Sequence, residues 1–197
     1  DGATGLALCA PTPPAVVVSD ILMPGLDGFE VCRRLKSDPA TRAVPVVLLT
    51  SLAETDTVGR LALRFLILTA GRSGEVRGAT WDEIDLAGKI WTVPAERMKA
   101  EREHRVPLSP AALAMLESLP RMVGTDLIFP SAKNEQLSDM TLTAVIRRMH
   151  EASIKAGNAG WCDNAGKVIT AHGFRSTFRD WAGETTAYPR EVIEHAL

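Results

Sequence analysis

No stretch of this sequence approaches the roughly 20 consecutive apolar residues of a membrane-spanning helix, and its first residues lack the charged-then-apolar pattern of a secretory leader. The chain therefore reads as cytoplasmic, with no membrane partner. Cysteine is scarce. Cys9, Cys32 and Cys162 are odd in number and widely spaced, which excludes a disulfide framework and the paired short spacing of a zinc site. They read as free thiols in core or surface roles. Excess charge is lacking too: the net charge is −2 over 197 residues. A phosphate-binding surface would have to come from local clusters of Lys and Arg, not from the chain as a whole. Tyrosine occurs once, as Tyr188.

What is present is the composition of a soluble globular protein, 46% hydrophobic and 23% charged. Up to Gly59 there are four basic against seven acidic residues, and from Arg60 onward 18 against 17. The two parts also differ in style, and the join falls near Asp56 to Leu61.

In the first part, "PAVVVSDILMPGLDGFEVCRRL" opens with a β-branched run, Val16 to Val18, that suits a buried parallel strand. Asp20 stands where the strand ends. "MPGLDG" is a dense turn signal, Phe29 to Leu35 continues as an amphipathic helix, and Val44 to Leu49 forms a second strand closing at Thr50. This strand, helix, strand unit is of doubly wound α/β type, in which chemistry lies at the carboxyl ends of strands. On these residues, 1–58 resembles part of a response-regulator receiver domain. The resemblance implies that Asp20 is the phospho-acceptor and that the Thr50 hydroxyl follows the phosphoryl group. The acidic pair that would hold Mg²⁺ and the lysine of the last strand have no counterpart here, so Mg²⁺ would be a cofactor only of a complete receiver. A carboxylate on a strand-end loop with no chemistry stays open beside that reading.

The second part carries basic residues placed singly. "LALRFLILTAGRSGEVRGATW" predicts a helix over Leu61 to Ala70, a break at Gly71, then Arg72 with Glu75 three residues on, and a second helical segment ending at Trp81. Alone, Arg72 and Glu75 make an ordinary surface ion pair; a planar guanidinium held by a carboxylate also suits a phosphate. "KIWTVPAERMKAEREHRVPLS" reads as strands Lys89 to Pro94 and His104 to Leu108 around a charged turn that carries Lys99. Lys99 is by itself a solvated charge, or else a lysine that can give a proton to a leaving oxygen. Helices are expected at Pro110 to Leu119, with Ser109 as N-cap, and at Ser138 to Met149, with Arg147, Arg148 and His150 near its end. A glycine-rich loop, Ala156 to Lys167, leads to "TAHGFRSTFRDWAGE". There His172 and Arg175 stand at a helix entrance, where backbone N–H groups favour an anion, and Phe174, Phe178, Trp181 and Ala182 read as the face that anchors the helix.

"TAGRSGE", "MKAEREHRVPLS" and "AHGFRSTFRDW", in this order, resemble the tyrosine recombinases, the phage-type integrases, over about 60–197. The resemblance implies a mainly α-helical catalytic domain with a small antiparallel β-sheet at 59–197, acting on double-stranded DNA, with self-association possible there. By position, Arg72 and Arg175 would grip the scissile phosphate, Lys99 would protonate the leaving 5′ oxygen, His172 would act in acid-base transfer, and Glu75 would orient Arg72. A tyrosine would attack phosphorus without any metal. In the family that tyrosine lies on a helix well downstream of the His172 and Arg175 pair. Tyr188 falls at a loop position in the likeness and His195 on a helix face. The expectation is an integrase-like domain truncated before its nucleophile and inactive for cleavage, with phosphorelay signalling through Asp20 as the alternative.

Overall fold

Two β-branched runs in the first quarter of the sequence pair side by side. In a computed structural model, residues 2–9, 13–14, 17–20, 26, 28–44, 46–49, 57–98, 101–155, 157, 160–163, 166–195 and 197 are described. The chain divides into two units, Asp1–Thr55 and Asp56–Leu197.

In the first unit β1 (Val17–Asp20) and β2 (Val46–Leu49) run parallel, Val17 opposite Val46 and Asp20 opposite Leu49. Parallel neighbours need a crossover, and α2 (Gly28–Ser37) lies within it. Val31 and Leu35, one turn apart on α2, are buried with Cys9 of α1 (Gly2–Cys9), and Leu6, Val17, Leu26 and Val46 pack around them. Two glycines in "GATGLALC" weaken helix propensity, so α1 is a helix that tertiary packing supplies and the sequence does not announce. Val44 belongs to the turn after α2, not to a strand, because Lys36 Nζ donates to the carbonyls of Arg42 and Val44 at 3.0 and 2.9 Å. Burial pushes the Cys32 thiol up, with Lys36 opposing, and Cys9, Cys32 and Cys162 are free.

The second unit is mainly helical with a small sheet. Its centre is α3 (Val58–Thr69), which buries Ala62, Leu63, Phe65, Leu66 and Thr69. It packs on α4 (Ser73–Arg77), α5 (Pro110–Ser118), α6 (Thr141–Lys155) and α7 (Ala171–Thr185), and α7 also meets α8 (Arg190–His195). At the crossing of α3 and α6 a side chain on Gly59 would come within 2.9 Å of Thr141 Cγ2 and 3.2 Å of Val145 Cγ2. Only glycine allows that approach. The antiparallel sheet runs β3 (Ile84–Asp85), β4 (Ile90–Val93), β5 (His104–Pro107). Trp91 and Val93 face inward at alternate positions. The Phe65 ring lies 5.1 Å from Trp91 and 5.5 Å from Phe129, and so joins helix to sheet.

Of the next two helices, α5 follows expectation and α6 does not. Ser109 caps α5 as foreseen, accepting from the Ala112 N–H at 3.3 Å. By contrast α6 starts at Thr141, since Ser138 is spent in a turn that accepts the Thr141 N–H at 3.1 Å, and it runs on to Lys155. Arg147 and Arg148 are therefore exposed in mid-helix, and Lys155 is the cation that faces the negative end of the dipole. Among the described residues no helix is long and apolar enough to cross a membrane.

Candidate active site

The site begins where α3 stops. Ala70 turns left-handed, φ 51 and ψ 24, one residue before the glycine at which the break was expected. Thr69 Oγ1 donates to the Phe65 carbonyl at 2.7 Å and accepts the Gly71 N–H at 3.3 Å, which braces the reversal. Arg72 then becomes the N-cap of α4 in extended conformation. Its N–H donates to Glu75 Oε2 at 2.9 Å, and its Nη1 donates to Oε1 at 2.7 Å. Glu75 uses both oxygens on one residue, one to cap the helix and one to hold the guanidinium. The carboxylate is only 4% exposed and the Arg72 side chain 43%, so the acid is the fixed member and the base the presented one. The helix ends at Arg77 with Gly78 as its cap, and Trp81 starts a separate 3₁₀ turn, Trp81–Glu83; the segment expected to reach Trp81 is two elements.

Arg175 arrives from α7, whose N-cap Thr170 accepts the Gly173 N–H through Oγ1 at 3.2 Å. It is 8% exposed, and its Nη1 donates to the Ala70 carbonyl at 2.8 Å. Burial pushes this guanidinium below the usual arginine range; the positive Arg72 adds to the effect and Glu75 opposes it. Two guanidiniums and one carboxylate thus share a small region and leave an excess of positive charge for an anion to neutralise. His172 stands exposed on the first turn of α7.

The anchoring of α7 corrects the sequence reading. Its buried residues are Ala171, Arg175 and Ala182, whereas Phe174 and Trp181 are half-buried and Phe178 is 38% exposed, its ring tilted against Trp181 at 5.6 Å. The reason lies in α3. Its C-terminal turn leaves the Ala70 carbonyl without a helical partner, and a buried carbonyl requires a donor. Arginine supplies one where an apolar side chain cannot.

Sequence reasoning gave no role to Glu83 or Arg97, and the structure joins both to the site. Arg97 Nη1 donates to the Glu75 carbonyl at 3.2 Å, and its Nη2 to Glu83 Oε2 at 2.7 Å. No spacing rule marks a contact across 22 residues. Lys99 and Thr50 lie outside the described residues. Asp20 is the last residue of β1, and its side chain lies outside the description. Among the described residues no group of three or more His, Cys, Asp or Glu is placed to hold a metal ion, so no residue is assigned here to the Mg²⁺ of a receiver.

The phage integrase family model matches residues 43–195. The chain belongs to the phage integrase family. Among the curated integrases, prophage integrase IntA of Escherichia coli (strain K12) is 38% identical over 141 residues, 70% of this chain and 30% of IntA. The chain thus spans less than a third of that relative's length. The response regulator receiver domain model matches residues 1–64, and response regulator PleD of Caulobacter vibrioides (strain NA1000 / CB15N) is 56% identical over 52 residues, 26% of this chain and 12% of PleD. Among solved structures, the Tn1549 transposon integrase (residues 82–397), in complex with circular intermediate DNA, matches with a TM-score of 0.55 at 13% identity, over 94% of this chain and 57% of that one. That likeness concerns the fold: this integrase-family chain has the tyrosine-recombinase architecture, a helical body with a three-stranded antiparallel sheet, preceded by a receiver-type segment.

Proposed function

We propose that residues 59–197 form a DNA strand-exchange module that grips the scissile phosphate of double-stranded DNA, and that 1–58 is a receiver-type piece joined to it. One observation carries the reading: Arg72 is held by a buried carboxylate while Arg175 is fixed beside it on the carbonyl that ends α3. Two preset guanidiniums can bind the non-bridging oxygens and offset charge that grows as phosphorus becomes five-coordinate, with little reorganisation at the moment of reaction. In this reading Glu75 orients Arg72, Lys99 protonates the leaving 5′ oxygen, and His172 moves protons at the phosphate. The attacking group is a tyrosine that forms a 3′-phosphotyrosyl link, and it is not Tyr188. The 197 residues alone bind DNA without cutting it, and self-association on DNA accompanies strand exchange.

The test is duplex binding across a salt series. Affinity should fall linearly on logarithmic axes, and Arg72→Ala should reduce both the affinity and the slope, the latter by about 1. Salt-independent binding, or binding untouched by Arg72→Ala with Arg175→Ala in folded protein, sinks the reading. A second reading, phosphorelay through Asp20, is favoured by the parallel pairing that ends at Asp20 and by the receiver match. Acetyl phosphate with Mg²⁺ should then label the chain, and Asp20→Asn should abolish the label. No label removes that reading.

A further inference from the structure

The helix that presents Arg72 has five residues, Ser73–Arg77, too few to hold itself. Its last carbonyls need donors from beyond it. The Gly78 N–H takes the Gly74 carbonyl and the Ala79 N–H takes the Val76 carbonyl, each at 3.2 Å. The Glu75 carbonyl between them takes a side-chain donor: Arg97, from the 3₁₀ turn Ala95–Arg97 that follows β4, gives it Nη1 at 3.2 Å. The other amino group, Nη2, donates to Glu83 Oε2 at 2.7 Å, and the same oxygen accepts from Trp91 Nε1 at 2.9 Å. The Trp91 ring is wholly buried against Phe65, so the guanidinium that caps α4 is moored in the core. Its approach is tight. A Cβ on Gly78 would lie 2.5 Å from Arg97 Nη1, so the bare α-carbon after α4 leaves the room that the guanidinium fills.

Glu75 is therefore held at its carbonyl and holds at its carboxylate, which takes the Arg72 N–H through one oxygen and the Arg72 guanidinium through the other. The acid is 4% exposed and the Arg72 side chain 43%, so a tilt of α4 reaches solvent as a displacement of that guanidinium. A binding group must stay within about 0.5 Å of its working position, and a five-residue helix hung from its first turn alone gives no such precision. We propose that Arg97 and Glu83 are positioning residues: they seat the C-terminal end of α4 and so fix the direction in which Glu75 presents Arg72 to a phosphate. The inference rests on the reading of the chain as a phosphate-gripping module and deepens it, and it assigns neither residue a contact with DNA.

The experiment takes two readouts on the full 197-residue chain. The first needs no DNA: the NMR order parameter of the Arg72 Nε–H, its signal identified by its loss in Arg72→Ala. In Arg97→Gln it should fall to below about 0.6, the range of a mobile group, and Glu83→Ala, which frees Nη2, should lower it too. The second is a double-mutant cycle on affinity for a duplex oligonucleotide at fixed low salt. Arg72→Ala should weaken binding about three- to tenfold, as the loss of one phosphate contact does. Arg97→Gln should weaken it about two- to fivefold, and should cost nothing further once Arg72 is alanine, because the two act through one contact. A merely structural role would lower the melting temperature and leave the order parameter of the folded protein where it was. Where Arg97→Gln does not fold, Gly78→Ala carries both readouts: Gly78 has φ −100, open to alanine, and the added methyl group crowds Nη1 off the carbonyl while every charge stays. An unchanged Arg72 order parameter in the folded variant, or losses of affinity that add to that of Arg72→Ala, overturns the proposal and leaves the phosphate-gripping reading standing. Absence of salt-dependent DNA binding in the unmodified chain overturns that reading, and this inference with it.

Discussion

The guanidinium of Arg175 and the carbonyl of Ala70 meet at 2.8 Å across 105 positions of sequence. Ala70 is the left-handed residue, φ 51, that ends α3 and turns the chain toward Arg72. One hydrogen bond thus fixes the two arginines of the site relative to each other, and the helix that carries the second arginine is seated by that arginine. In the function proposed above the anchor is also a phosphate-binding group, so stability and phosphate binding would be coupled at Arg175 and separable at Arg72.

Substitution should expose that difference. Arg175→Ala leaves the Ala70 carbonyl buried without a donor and opens a void, a combined cost of about 2–4 kcal/mol. Arg72→Ala removes a side chain that is 43% exposed and leaves the buried Glu75 Oε1 without its donor, while the other oxygen keeps the backbone N–H; the expected cost is about 1–2 kcal/mol. Both should weaken duplex binding. Urea unfolding decides: Arg175→Ala no more destabilising than Arg72→Ala would remove Arg175 as the buried anchor.

Ala70 itself carries a conformational cost. A left-handed alanine is strained by about 1–2 kcal/mol, and glycine would relieve this at an entropic cost of about 0.4–1 kcal/mol. Ala70→Gly should therefore raise the melting temperature, by a net gain of about 0.5 kcal/mol, while Ala70→Val, β-branched at positive φ, should lower it. A fall in both variants would show that the methyl group's packing outweighs the strain.

The pairing of Arg72 with Glu75 was legible because three-residue spacing at a helix start brings an arginine and a carboxylate together whatever lies around them. The parallel pair of β1 and β2 was legible from two β-branched runs either side of a turn signal. The seat of Arg175 was not, because periodicity marks apolar faces, and "FRSTFRDWA" offered Phe178 and Trp181 ahead of a charged residue. What decided burial was an orphan carbonyl more than 100 residues away, which no local pattern encodes. The break at Ala70 was hidden similarly: Gly71 is the residue with freedom at positive φ, yet the turn falls on its neighbour. Arg97 stayed silent because both its partners lie outside its own element.

A pH experiment tests the surface of α2. The Arg33 and Arg34 guanidiniums hydrogen-bond Glu30 and hold its carboxyl at about 2, below its ordinary 4.5. A depressed folded value means that the ionised form is favoured by folding. Its contribution is present in full above the ordinary value and is lost as pH falls through about 2. Carboxyl NMR titration should place the Glu30 midpoint well below 4.5, and Arg33→Ala with Arg34→Ala should return it toward the ordinary value. A midpoint already ordinary in the unmodified chain would mean that solvent screens the pairs out.

One tie between α6 and the loop before α7 ends on an imidazole nitrogen. His150 Nδ1 accepts the Trp161 N–H at 2.9 Å, beside Gly160 at φ +72. Asparagine places a carbonyl oxygen close to the Nδ1 position, and glutamine reaches past it. In His150→Asn the Trp161 amide should remain protected from hydrogen exchange, and in His150→Gln it should exchange about five- to tenfold faster. Equal protection in the two variants would show that the loop does not depend on this acceptor.

Tyr188 is 69% exposed in the turn before α8, with its own N–H turned back to Thr186 Oγ1 at 3.4 Å, and Ile193 on the following helix is 5% exposed. A tyrosine that attacks phosphorus must reach within about 3–3.5 Å of it, in line with the leaving oxygen. Both guanidiniums here are tied to groups at the end of α3 and the start of α4, which fixes where the phosphate would sit. A hydroxyl on a solvated turn has no such constraint. The 197-residue chain, incubated with a nicked suicide duplex, should therefore retain the DNA without forming a covalent adduct, and Tyr188→Phe should leave duplex affinity within about twofold of the original, since a solvent-facing hydroxyl contributes little. An adduct that resists denaturant and disappears in Tyr188→Phe would make this tyrosine the nucleophile and would require the turn before α8 to fold onto the arginines when DNA binds.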